Sequence, residues 1–115
     1  RFVSETVGLI SFSELGIYQY LDLLHEKRKQ EGFINYPLLK LKEYDEVHHT
    51  NLIETLEVYL DKDSNVNDAA KALNVHVNTL SYRIKRISQI AELDLRDPNQ
   101  KITVYLNLKL DKMSL

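Results

Sequence analysis

The stretch from Asn67 to Ile87 constrains the fold more than any other part of this 115-residue chain. Its first half is rich in alanine, whose small side chain lets two helices approach closely. Its second half spaces Leu80, Ile84 and Ile87 like the apolar positions on one face of a helix. Asn74 stands between the halves, and asparagine tolerates the left-handed backbone of a sharp turn better than most residues do. The stretch therefore predicts two helices joined by a tight turn at Asn74.

The second of these helices is expected to run from Val77 to about Ala91, with an aliphatic side and a polar side. At about 100° per residue, Leu80 marks the centre of the inward side. The residues opposite it are Asn78, Tyr82, Lys85 and Gln89. The whole chain has a net charge of −2, yet its only charged residues between Ala69 and Ala91 are basic. A local basic surface of this kind is typical of a nucleic-acid contact.

Two helices with this turn and this polar surface resemble a helix-turn-helix unit, whose second helix enters the DNA major groove. Asn78 suits an adenine edge, and Thr79 suits a thymine methyl group or a phosphate. Tyr82, Lys85 and Arg86 are expected to contact phosphates or the groove edge. The predicted DNA-binding residues are Asn67, His76, Val77, Asn78, Thr79, Ser81, Tyr82, Arg83, Lys85 and Arg86.

Four residues of the hairpin have structural predictions of their own. Asn67 is expected to cap the first helix, and Val75 is expected to fill the angle between the two helices. His76 is expected to cap the second helix or to contact a phosphate. Arg83 lies nearer the edge of the core than Lys85 does, so its stem is expected to pack while its charge reaches sideways.

A protein-interaction module is the alternative to a DNA-binding domain. The same cap, turn and aliphatic stripe occur in helical hairpins that bind only protein, and residues 13–47 are then a dimerising or docking arm. The two functions are separable by experiment, because phosphate contacts make the affinity for duplex DNA fall steeply with salt.

The sequence resembles the C-terminal helix-turn-helix domain of PucR/CdaR-type transcription regulators, the purine-catabolism and sugar-diacid regulators. The bare hairpin is also similar to the DNA-binding end of Fis-type proteins. The PucR/CdaR resemblance extends over about four-fifths of the chain. It rests on residues 15–21, 39–45, 51–60, 65–73, 75–87 and 93–98.

This resemblance implies a cytoplasmic, multi-domain regulator whose C-terminus binds promoter or operator DNA as a double strand. It implies a small-molecule effector that binds upstream domains absent from this chain. A homodimer or higher homo-oligomer is expected from the way such units usually work. The chain departs from the family at Val77, where arginine is usual, and at Ser81, where a basic residue is frequent. Both departures remove a cation, which is expected to weaken phosphate contact or to change the sequence preference.

The expected organisation is all-α, with residues 1–12 a remnant of a preceding domain or a tail. Residues 13–47 are expected to form a helical linker or arm, and residues 48–115 the helix-turn-helix domain. Gly32 is expected to end the helix that starts at Ser13, and Pro37 to open the next. Asn51 and Glu54 have the spacing of a capping box.

The last segment is ambiguous, because Ile102, Val104, Leu106, Leu108 and Leu110 alternate as in a strand. The same residues form two apolar ridges on a helix, and the preceding Asp-Pro pair suits a helix start. A helix buried on two sides fits an otherwise helical chain better than a lone strand does.

Several function classes find no support in the residues. The chain contains no cysteine, which excludes thiolate zinc fingers and disulfide frameworks, and its three glycines leave no phosphate-binding loop. His48 and His49 are adjacent, so on a helix they diverge and ligate one metal ion poorly. We therefore expect no enzyme, no metal, no cofactor and no membrane contact, since no apolar run approaches the length of a bilayer span.

Overall fold

The computed structural model describes residues 12–113, with side chains from residue 19 onward. All regular structure in this range is helical, which confirms the all-α prediction. The predicted remnant, residues 1–12, lies outside the described residues except for Phe12. The helices are α1 (Phe12–Glu31), α2 (Tyr36–His48), α3 (Leu52–Asp61), α4 (Val66–Leu73), α5 (Val77–Ala91) and α6 (Pro98–Met113).

The chain forms two compact units, and the smaller one contains residues 12–33 and 110–113 of the described range. Leu21 of α1 and Leu110 of α6 are both buried. Arg28 donates to a carboxylate oxygen of Asp111 over 2.7 Å. Gly32 has a φ of +64°, so it ends α1 in the left-handed conformation that the sequence predicted.

The larger unit, residues 34–109, contains the main hydrophobic core. α2 contributes to this core as fully as the later helices do, because Leu41 is completely buried in it. The domain boundary predicted between residues 47 and 48 stays a prediction. The packing shows in addition that α2 shares its hydrophobic core with α5. The central side chains are Leu38, Leu41, Leu52, Leu56, Leu60, Ile87, Ala91, Val104 and Leu108.

A second, smaller cluster lies between α4 and α5 and consists of Ala69, Ala70 and Leu80. Val75 packs against it, which confirms that this residue fills the angle of the hairpin. Asn74 has a φ of 57°, and its N–H bonds to carbonyl groups of the last turn of α4, so the predicted left-handed turn is confirmed.

The predicted capping box at the start of α3 is wrong. The side chain of Asn51 makes no capping hydrogen bond. The carboxylate of Asp45, on α2, instead accepts hydrogen bonds from the backbone N–H groups of Leu52 at 2.8 Å and Ile53 at 3.0 Å. It also accepts one from the Thr50 hydroxyl at 2.6 Å. The first turn of α3 is therefore capped from the preceding helix.

The predicted cap at Asn67 is also wrong, because α4 starts two residues earlier than that cap requires. Asn65 occupies the N-cap position, and its side chain accepts a hydrogen bond of 2.9 Å from the N–H of Asp68. Asn67 lies inside the first turn of α4 with its side chain exposed. Asparagine is a favourable N-cap residue at either position, and the extended backbone conformation required of an N-cap occurs at Asn65.

The ambiguous final segment is helical, as expected. Asp97 caps it, because its side-chain oxygen accepts from the N–H of Asn99 at 3.0 Å. The ridge of Val104 and Leu108 is buried in the main core, which confirms one predicted ridge. Ile102 is 55% exposed, so the second ridge is not buried along its whole length.

Candidate nucleic-acid interface

α5 begins at Val77, as predicted, and His76 caps it. The Nδ1 atom of His76 accepts a hydrogen bond of 3.0 Å from the N–H of Asn78. This bond leaves Nε2 as the ring nitrogen that an outside partner can reach. The cap fixes the first turn of α5 next to the left-handed turn at Asn74, so the direction of the helix is set locally.

The two sides of α5 differ as the periodicity predicted. Leu80 and Ile87 are fully buried, and Ala91 is nearly so. Asn78, Lys85 and the other polar side chains lie on the exposed side, where the Tyr82 ring is 64% exposed. No other described segment therefore covers the outward side. The exposed members of the predicted DNA-binding set are Asn67, His76, Asn78, Thr79, Ser81, Tyr82 and Lys85.

Three members of the predicted set are only half-exposed. Val77 packs against the small cluster between α4 and α5, so its side chain contributes at least partly to the fold. Arg83 and Arg86 are half-buried along the side of α5 that faces the α2–α3 corner. Arginine stems pack readily in such positions while the guanidinium group stays accessible.

Arg86 is held by α2. It donates to the hydroxyl oxygen of Tyr44 over 3.2 Å, and its guanidinium carbon lies 5.6 Å from the centre of the Tyr44 ring. A second donor of Arg86 reaches the side-chain oxygen of Gln89 at 3.0 Å. The hydrogen bond to Tyr44 raises the pKa of Arg86 above its usual value. The cation is thus oriented by contacts that the sequence alone did not predict.

A cleft of about 430 Å³ separates this side of α5 from the α2–α3 corner. Its α5 wall is formed by Thr79, Tyr82, Arg83 and Arg86. Tyr44, Thr50 and Asn51 contribute to the opposite wall, and none of the residues lining the cleft is acidic. Sequence reasoning missed this opposite wall, because no local pattern shows that a corner so far away in sequence lies beside α5.

The geometry of the hairpin agrees with what comparison with known proteins shows. Residues 52–110 match the PucR C-terminal helix-turn-helix domain. The chain belongs to this family. The resemblance inferred from the sequence is thereby confirmed.

Two proteins of Bacillus subtilis (strain 168) are similar to this member of the family. The DNA-binding transcriptional activator AdeR is 64% identical over 115 residues, which cover all of this chain and 27% of AdeR. The proline-responsive transcriptional activator PutR is 40% identical over 101 residues, or 88% of this chain and 25% of PutR. The chain thus spans about a quarter of the length of these relatives.

The carbohydrate diacid regulator of Escherichia coli (strain K12) is 36% identical over 76 residues, or 66% of this chain and 19% of that protein. No solved structure matches the chain significantly. All three of these relatives are transcription regulators by name.

Two further features are absent from the residues that the structure describes. Among them, no three His, Asp or Glu side chains are grouped as the ligands of a metal ion would be. None of their helices combines the length and the apolar character needed to cross a bilayer.

Proposed function

We propose that this chain is the double-stranded-DNA-binding C-terminal part of a metabolite-responsive transcription regulator. The exposed outward side of α5 is the observation that carries the proposal, since Asn78, Tyr82 and Lys85 are all open to an outside partner. The family match and the printed names of the relatives support the same function. α5 enters the major groove, where residues near its start reach base edges and its cations hold phosphates.

The proposal extends to the assembled protein. Two copies of α5 read two half-sites about 34 Å apart or a multiple of that distance, as a homodimer does. The effector binds domains outside this chain, and the protein acts in the cytoplasm. Selection of bound sequences from random duplex DNA tests this part, because a homodimer returns a site with two-fold symmetry and a fixed half-site spacing. Asymmetric single half-sites would contradict the dimer.

The DNA-binding proposal itself is tested by salt dependence. The variant Lys85→Ala/Arg86→Ala is expected to bind all duplex sequences more weakly and to lower the slope of log affinity against log salt by up to about two units. The matched control is Lys27→Ala/Lys29→Ala, which removes two exposed cations from α1 and is expected to leave the slope near that of the wild type. An unchanged slope in the α5 variant would show that the outward side of α5 does not contact the DNA phosphates. Salt-independent binding by the wild type would contradict the function.

The alternative function, a helical interaction or dimerisation module without DNA contact, is favoured by one feature of α1. Tyr20, Leu23 and Leu24 are 62%, 68% and 41% exposed, which is unusual for apolar side chains so close together. Sedimentation of the chain with and without duplex DNA separates the functions. Self-association that persists in Lys85→Ala/Arg86→Ala, together with no DNA binding by the wild type, would favour the alternative.

A further inference from the structure

We propose that the cleft between α5 and the α2–α3 corner is a binding site for one DNA phosphodiester, and that Tyr44 positions Arg86 within it. This inference rests on the proposed DNA-binding function and extends it to residues outside the helix-turn-helix. It makes α2 part of the DNA-binding surface rather than a linker that precedes it.

Charge is the first argument for an anionic ligand. Arg83 and Arg86 lie on the same wall of the cleft, and no carboxylate lines the cleft to neutralise them. The guanidinium groups of these half-buried arginines offer directed hydrogen-bond donors to phosphate oxygens. The cleft also adjoins Thr79 and Tyr82, which belong to the outward side of α5. A duplex bound to that side therefore brings a phosphate to the mouth of the cleft.

The positioning of Arg86 is the second argument. A free arginine side chain samples many rotamers and loses that freedom when it binds. Here Tyr44 accepts a hydrogen bond from one terminal nitrogen of Arg86, while the ring of Tyr44 lies near the cation. The guanidinium group has further donors that remain for a ligand, because it carries five in a fixed fork. Tyr44 thus orients the Arg86 guanidinium group for a phosphate through its hydroxyl and its ring.

Three features fix the position of Tyr44 and of the helix that carries it. α2 is anchored in the main core by Leu41, which precedes Tyr44 by nearly one helical turn. Lys40 of α2 also pairs with Glu92, just beyond the end of α5, over 2.6 Å. The ring of His48 lies against the Tyr44 ring with centroids 4.2 Å apart. The tyrosine therefore approaches Arg86 from a helix that is tied to α5.

The opposite wall of the cleft ends at Asn51, whose side chain makes no capping bond. The first N–H groups of α3 are already bonded to Asp45, so the attraction for an anion comes from the arginines and not from this helix start. Asn51 is consequently a site where a charge can be added without breaking an existing hydrogen bond. Aspartate is as good an N-cap residue as asparagine, so Asn51→Asp is expected to fold normally.

The first experiment adds that charge and measures binding of the 115-residue chain to a mixed-sequence DNA duplex between about 50 and 200 mM salt. Asn51→Asp is expected to weaken binding about tenfold at low salt, because its carboxylate competes with phosphate for the two arginines. It is also expected to lower the salt slope by about one unit.

Asn99→Asp is the matched control for this charge. It adds the same charge in the first turn of α6, at an exposed residue that lines a different surface beside Glu92. We expect its binding to stay close to that of the wild type. If Asn51→Asp and Asn99→Asp bind DNA equally well, the cleft is not a phosphate site although DNA binding by the wild type stands. If the wild type binds no duplex at any salt, the proposed function itself is lost.

The second experiment tests Tyr44 by a double-mutant cycle with Arg86. Tyr44→Phe keeps the ring and removes the hydroxyl, so it is expected to weaken DNA binding about threefold to tenfold, the effect of one lost hydrogen bond. In an Arg86→Ala background the same change is expected to have no further effect. An equal loss in both backgrounds, or no loss in either, would overturn the positioning role.

Tyr105→Phe is the matched control for the loss of a tyrosine hydroxyl. The Tyr105 hydroxyl donates to Asp61 and so joins α6 to α3, away from the cleft. Its removal is expected to leave DNA affinity and the salt slope unchanged. Melting curves recorded for each variant separate a loss of folded protein from a loss of binding.

Discussion

The α4–α5 turn and the α2–α3 corner each join two helices, but they are stabilised in different ways. The turn uses local partners: Asn74 takes the left-handed conformation at the end of α4, and His76 caps α5. The corner uses a partner from another helix, because Asp45 of α2 caps α3 while Asn51 at the cap position makes no such bond. Helices joined by local caps depend little on the rest of the chain for their direction. The corner instead depends on where α2 packs.

The largest expected effect tests whether the hairpin also needs its small core. Leu80→Ala is expected to lower the free energy of unfolding by about 2–5 kcal/mol, because it leaves a cavity where a fully buried side chain stood. Denaturant unfolding measures the change. Ile102→Ala removes a side chain that is 55% exposed, so it is expected to lower the free energy of unfolding by only about 0.5 kcal/mol. A Leu80→Ala variant as stable as wild type would show that the local caps suffice.

The next effect tests the long-range cap of the corner. Asp45→Ala is expected to destabilise the fold by about 1–3 kcal/mol, because two backbone N–H groups of α3 and the Thr50 hydroxyl lose their acceptor. Asn51→Ala should change stability by no more than about 0.5 kcal/mol. If thermal unfolding showed a larger loss of stability for Asn51→Ala than for Asp45→Ala, the capping box predicted from the sequence would be supported after all.

A smaller effect tests the local cap of α4. Asn65→Ala is expected to destabilise the protein by about 1 kcal/mol, since its side-chain oxygen accepts from the N–H of Asp68. Asn67→Ala is the control and is expected to stay within about 0.5 kcal/mol of the wild type. The predicted DNA contact of Asn67 is a separate question, which a binding assay on the same variant answers.

The smallest effect concerns α6, which is also fixed by side chains far apart in sequence. Burial raises the pKa of Tyr105 to about 12 from its ordinary value of 10.0, and the hydrogen bond to Asp61 adds to this shift. Because the folded state favours the protonated phenol, its contribution to stability is complete below pH 10.0 and is lost as the pH rises through about 12. Absorbance titration should show one tyrosine ionising late, and Tyr105→Phe should remove that step. An identical titration curve in the variant would contradict the assignment.

The hairpin is encoded by signals between residues that are close together in the chain. The aliphatic stripe through Leu80 and Ile87, the turn at Asn74 and the cap at His76 follow from periodicity and residue type, and the structure confirms each of them. Such signals are readable because the interacting residues are within about one helical turn of each other. The family resemblance rests on this part of the chain together with segments on both sides of it, and it is confirmed as well.

The contacts around the hairpin depend on how helices that are distant in sequence pack together. Asp45 and Tyr44 act on α3 and α5 across chain distances that no periodicity reveals, and Asn51 lost its predicted capping role for that reason. Hydrogen bonds between distant residues depend on how whole helices pack, which side-chain spacing within one helix does not encode. The cleft between α5 and the α2–α3 corner is built from these long-range contacts, so it exists only where α2 packs beside α5.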